Sequence, residues 1–172
     1  MNVKVDRRTH EFTGRRISVD TPVPFTTVLD RLRALMGRAS IPDLVALARA
    51  PIGEAEFAQS VNERFVGKSG FMLFSEIDHG GWISKFGINR RTLRLILGNP
   101  LIAITMIRHD LTAGLFAPVE ILVTERENAQ GTNVVYVRPS SLIVIDENPP
   151  LRSAAEALDE KLSSLVGSAV CP

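Results

Sequence analysis

The chain has 172 residues, about one domain, with 45% hydrophobic and 23% charged residues, a balance that excludes disorder, a collagen-like repeat and a disulfide-built scaffold. Its 20 basic and 19 acidic residues leave a net charge of +1, so no global attraction to nucleic acid or to an anionic membrane is expected. The single cysteine, Cys171, excludes an internal disulfide, Met1–His10 has no apolar signal-peptide core, and the longest apolar run, Leu101–Ile107, is far short of a membrane span. The resulting expectation is a cytoplasmic chain with no membrane partner.

The first predicted element is a strand over 11–20, with Phe12, Ile17 and Val19 as its apolar members. Pro22 and Pro24 then open a helix whose apolar residues Phe25, Val28, Leu29, Leu32, Leu35 and Met36 recur at intervals of three and four, with Gly37 as its expected C-cap. Ser40-Ile41-Pro42-Asp43 starts a second helix that Pro51 ends. A third, over 53–65, carries Phe57, Val61 and Phe65.

Strand character returns at 70–77, where Phe71, Leu73 and Ile77 alternate with Met72, Phe74 and Glu76, so both faces are expected to be covered. A loop, Asp78-His79-Gly80-Gly81, and a helical turn over Trp82–Phe86 lead to a strand at Thr92–Leu97. Gly98-Asn99-Pro100 is the clearest local signal. Asn accepts from free backbone N–H groups at a helix start, and Pro suits the first helical position. The helix after it, Leu101–His109, is apolar nearly all round and is expected to be buried in the core or in a subunit interface.

Strands at about 116–125 and 132–138, joined through Asn128 and Gly131, read as a hairpin. Ser141–Ile145 reads as one more short strand. The last helix, about 151–166, has a stripe of Leu151, Ala154, Ala155, Leu158, Leu162, Leu165 and Val166. Basic residues gather in 1–16 and acidic ones in 146–161, read as two solvated surfaces of opposite sign. The order β-α-(αα)-β-β-α-β-β-(β)-α predicts an α+β domain spanning 1–172, with a curved, mostly antiparallel sheet packed by helices on one side and a short two-helix insertion at about 40–65.

Four segments, in this order and at these gaps, resemble a known family: Ser69-Gly70-Phe71; Glu76-Ile77-Asp78-His79; Gly98-Asn99-Pro100 with its apolar helix; and Gly114-Leu115-Phe116-Ala117-Pro118-Val119 running into a strand and hairpin. The family is domain of unknown function 302, also called the TT1751-like fold. The resemblance covers about 70–140 as the family core, with 11–37 as the preceding strand and helix. Ala117-Pro118 stands where many members carry Leu-Pro, and the helices at 42–65 look like an insertion relative to the shortest members. The resemblance implies a TATA-box-binding-protein-like curved sheet, often in a homodimer, with no agreed activity. The name of that fold carries no DNA binding with it.

Among chemical candidates, Asp78 and His79 sit at a strand end beside two glycines, and His titrates near neutral pH. Adjacent residues on a strand point oppositely, so a direct pair needs a turn; a turn-forming Asp with a surface or dimer-contact His is the alternative. Lys85, Arg90, Arg91 and Arg94 form a cationic run with no acidic residue between His79 and Arg94. With the helix start at Asn99, that run suggests a phosphate or carboxylate site, or else solvated residues. Trp82 and Phe86 either wall a pocket or belong to the core or an interface. His109, at the end of the apolar helix, suits the negative end of its dipole. Three scattered His and one terminal Cys lack metal-ligand spacing, so no metal site and no cofactor are expected. No nucleophile elbow, phosphate loop or dinucleotide fingerprint occurs.

The functional expectation is a dimeric small-ligand-binding or scaffold domain with no nucleic-acid partner. The alternative is an enzyme using Asp78 and His79 as an acid–base pair on an anionic small molecule.

Overall fold

A computed structural model describes residues 5–172; Lys4, part of the basic N-terminal group, lies outside them. In chain order the elements are β1 (Arg16–Thr21), α1 (Phe25–Leu35), β2 (Gly37–Arg38), α2 (Ile41–Arg49), α3 (Glu54–Arg64), β3 (Met72–Asp78), α4 (His79–Ile83), β4 (Thr92–Gly98), α5 (Pro100–Ile107), β5 (Val119–Glu125), β6 (Thr132–Val137), α6 (Ser140–Ile143) and α7 (Pro149–Val170). Three helices begin where a side-chain oxygen meets a proline. Ser40 accepts from the Asp43 N–H ahead of Pro42, Asn99 accepts from Leu101 N–H beside Pro100, and Asn148 accepts from Leu151 N–H beside Pro149. Each oxygen satisfies a donor that the first helical turn leaves free.

The strands form one sheet in the order β1-β6-β5-β4-β3-β2, antiparallel except for the parallel β2–β3 edge. Alternation along β4, β5 and β6 turns Leu93, Leu95, Leu97, Val119, Ile121, Val123, Val134 and Tyr136 to one face. There they pack against Phe25, Val28, Leu29 and Leu32 of α1 and the α7 stripe, in which Leu151, Ala155, Leu158, Leu162, Leu165, Val166 and Ala169 are all buried. Burying the four leucines and the valine of that stripe contributes on the order of 10 kcal/mol gross. At the far edge the next residue along β3 from Leu73, Met72, joins a second cluster with Leu47, Val61 and Phe65, so α2 and α3 pack around that edge of the sheet.

The other face of β3–β6 carries the alternate residues. Register aligns Ser18, Val135, Leu122, Arg94 and Ile77 in one row across it.

Three local expectations are corrected. Gly37 does not cap α1: Met36 ends the helix in extended conformation and Gly37 begins β2, pairing beside Met72. A Cβ there would lie 1.8 Å from the Phe65 carbonyl oxygen, so close backbone approach, not a left-handed turn, requires glycine. Ser141–Ile145 contains no strand. The chain turns helical over Ser140–Ile143 because Asp159 of α7 accepts from both the backbone N–H (2.9 Å) and the hydroxyl (2.5 Å) of Ser140. His109 does not cap α5 either; Arg108 occupies that position, with its Nε donating to the Ile104 carbonyl at 3.2 Å. The apolar α5 is only half covered. Met106 is sealed while Ile104 is 43% exposed.

Two glycines give opposite predictions. Gly37→Ala forces a methyl into backbone and should cost about 1–3 kcal/mol, the scale of overpacking. Gly167→Ala, in the last turn of α7 with nothing within 4 Å, should stabilise by up to about 1 kcal/mol. Urea unfolding of both variants checks the pair.

Candidate functional site

The residues singled out from the sequence fall into three places. Asp78, Arg90 and Arg91 line one cleft of about 530 Å³ between α1 and the ends of β3, β4 and β5, and Phe25, Leu29 and Arg33 form its α1 wall. The carboxylate of Asp78 caps α4, accepting from the Gly81 N–H at 3.0 Å. Gly80 serves packing: a Cβ there would stand 3.0 Å from the Thr92 nitrogen and 3.1 Å from the Arg90 oxygen, so the missing side chain lets α4 lie against β4.

All three arginines of this cleft are engaged. Arg90 donates twice to the Glu125 carbonyl, at 3.1 and 2.7 Å, and stands 3.7 Å from Glu127. Arg91 grips the Glu125 carboxylate through Nε (3.1 Å) and a terminal nitrogen, with its guanidinium 4.8 Å above the Phe25 ring. That grip holds the Glu125 carboxyl below the usual range. Arg33 makes a two-bond pair with Glu76 at 2.8 and 2.6 Å. Hydrogen bonds from Arg33 hold the Glu76 carboxyl below its ordinary value, against an opposing effect of burial.

Asn99 belongs elsewhere. It is buried, with its amide donating to the Gly70 carbonyl at 2.9 Å and its oxygen capping α5. It borders a recess of about 220 Å³ with Phe71, Phe74 and Met106, so it does not join the arginines in an anion site.

His79 sits across the sheet from Asp78. Asp78 pairs with Leu93 on the helix-covered side, whereas His79 lines a bowl of about 470 Å³ on the other face. The floor of the bowl is Leu122, Val135 and Val137; Leu115, Phe116 and Pro118 rise at its edge, and Arg94 and Glu120 join His79 as its polar groups. Arg94 donates to Glu120 through Nε at 3.0 Å and pairs with its second oxygen. His79 Nδ1 accepts from the indole N–H of Trp82 at 3.2 Å. Trp82 in turn packs edge-on against Phe86, with ring centroids 6.3 Å apart. Trp82 is 52% and Phe86 76% exposed, so neither is a core residue; with Ile88, 51% exposed, they form an apolar spur beside the bowl.

The three arginines of the cationic run therefore find their acidic partners on β5 and just beyond it, at Glu120, Glu125 and Glu127, which only strand register brings alongside. Sequence reading missed Leu122, Val135 and Val137. Their signal was present: β6 is apolar at both parities and β5 adds Leu122 between Glu120 and Thr124, more than one covered face requires. A larger polar cleft, about 1020 Å³, lies between residues 11–15, α6 and α7 and mixes Arg15, Arg138 and Arg152 with Glu156 and Glu160. Among the described residues no group of three or more His, Cys, Asp or Glu is placed to hold a metal ion, and no helix is long and apolar enough to cross a membrane.

An α+β domain with a six-stranded, mostly antiparallel open sheet, helices sealing one face and an apolar bowl on the other is the class these features define. A family model described as domain of unknown function DUF302 matches residues 50–169, and the chain belongs to that family. The match takes in α3 and α7 as well as the motif-bearing stretch at 70–140. Among solved structures, the chain is similar to one described as an uncharacterized conserved protein DUF302 from Bacillus stearothermophilus, at 15% identity and a TM-score of 0.60, over 90% of this chain and 97% of that one. That likeness is one of fold. Comparison with curated proteins finds no match.

The Glu76 carboxyl, held below its ordinary 4.5, makes a signed prediction. Its contribution is complete above the ordinary glutamate range and is lost as pH falls through the lowered value, because protonation breaks the grip of Arg33. The pair is partly solvated, so the contribution is about 1 kcal/mol or less. Stability measured by urea unfolding at pH 7 and pH 3 should fall less steeply in Glu76→Gln than in the parent chain.

Proposed function

We propose that this protein is a non-catalytic binding module, a homodimer that holds a small ligand in the bowl on the uncovered face of its sheet. The observation that carries the reading is the placement of Leu122, Val135 and Val137. The helix-covered face already supplies the core, and side chains on the opposite face, only partly buried, gain less for folding by being apolar. Polar residues at these positions are the usual choice where a sheet face meets water. An apolar concavity with a few convergent polar groups, here His79, Arg94 and Glu120, is the common form of a small-molecule site. The spur of Trp82, Phe86 and Ile88 supports the dimer: it gathers exposed aromatic surface of the kind enriched at protein interfaces.

A catalytic reading gains less from the same geometry. Asp78 is committed as a helix cap and faces the opposite side from His79, so the two do not act on one substrate atom.

Native mass spectrometry of gently purified protein tests the proposal. The expected species is a dimer carrying a small extra mass. Val137→Glu, at a partly exposed position that tolerates a charge, should strip the extra mass and leave the dimer, whereas Phe86→Glu should yield monomer. A bare monomer from the parent chain at micromolar concentration would overturn both parts.

A further inference from the structure

We infer that the ligand of the bowl is uncharged and chiefly apolar, with a single hydroxyl or carbonyl oxygen directed at His79. The inference rests on the bowl being the binding site and names the class of molecule it takes.

The polar groups of the bowl decide the class. Arg94 and Glu120 are its charged residues, and each satisfies the other through two contacts. A bidentate guanidinium–carboxylate pair leaves little net charge for a third group. A ligand carboxylate would have to displace Glu120, and a ligand amine would have to displace Arg94, each leaving a bowl charge without its partner. Tyr136 also borders the bowl but turns its side chain into the core on the helix-covered face, so the remaining polar group on this face is His79. Its Nδ1 accepts the Trp82 indole N–H, so in the neutral ring the proton sits on Nε2. No hydrogen bond from that Nε2 to a protein acceptor is present among the described residues. A free N–H donor against an apolar floor of Leu122, Val135 and Val137 matches one acceptor oxygen on an otherwise apolar molecule. At about 470 Å³ the bowl has the capacity of a small-molecule site.

The test compares three probes of equal chain length by isothermal titration calorimetry at neutral pH: octan-1-ol, octanoate and octylammonium. Trp82, the only tryptophan, reports the same binding by fluorescence through its bond to His79. On the parent chain octan-1-ol should bind about tenfold or more tightly than either ion, because each ion must break the Arg94–Glu120 pair. Glu120→Gln frees Arg94. Octanoate should then gain roughly tenfold while octan-1-ol changes by less than about twofold. His79→Phe keeps the wall apolar but removes the donor, and should weaken octan-1-ol by about fivefold.

Either ion binding the parent chain as tightly as octan-1-ol would overturn the assigned class while leaving the bowl as the site. No binding by any of the three, or undiminished octan-1-ol binding by Val137→Glu, would overturn the bowl as the site and the class with it. Circular dichroism of each variant confirms that the fold survives.

Discussion

Everything in this molecule depends on the contact between the α7 stripe and one face of the sheet. Leu158, Leu162, Leu165 and Val166, with α1 alongside, seal that face. The contact supplies the main core and fixes the orientation of every strand it covers, since a one-residue slip in β4, β5 or β6 would exchange the buried and exposed sets. It also leaves the opposite face of the sheet without a helical cover, apart from α2 and α3 at the β3 edge. An open face that is polar would be an ordinary antiparallel sheet in water. This one carries Leu122, Val135 and Val137 in a concavity, and the proposed binding surface rests on that departure.

Charge placement follows from the same register. Arg90, Arg91 and Arg94 are close in sequence, yet alternation and the β4–β5 pairing send them to different environments. Arg91 reaches Glu125 over Phe25 on the α1 side, while Arg94 meets Glu120 in the bowl. The same alternation separates Asp78 from His79. What reads along the chain as a cationic cluster beside an acid–base pair becomes three ion pairs, a helix cap and one histidine bonded to a tryptophan. The bowl is consequently apolar with compensated charge, which suits binding better than proton transfer.

Signals confined to a few neighbouring residues were legible in the sequence. Asn99-Pro100 started α5, Asn128 and Gly131 turned the hairpin, and the 151–166 stripe marked α7, because caps, turns and helical periodicity are set locally. Features created by distant partners were not. The role of Gly37 comes from the Phe65 carbonyl, the helical turn at Ser140 comes from Asp159, and the pairing of the arginines comes from β5. The bowl was half legible: two apolar parities on one hairpin indicate a second covered or occupied face, but only the assembled sheet shows that the parity of Leu122 and Val135 is the uncovered one.

The central claim is that this uncovered face, and not a cleft on the helical side, receives the ligand. Methyl-resolved NMR of the leucine- and valine-labelled protein titrated with octan-1-ol tests it directly. Saturable shifts at Leu122, Val135 and Val137, with Leu29, Leu158 and Leu162 unmoved, are the predicted result. Shifts centred on Leu29 in the α1 cleft, or on Leu44 of α2, which lines the recess beside Asn99, would contradict it.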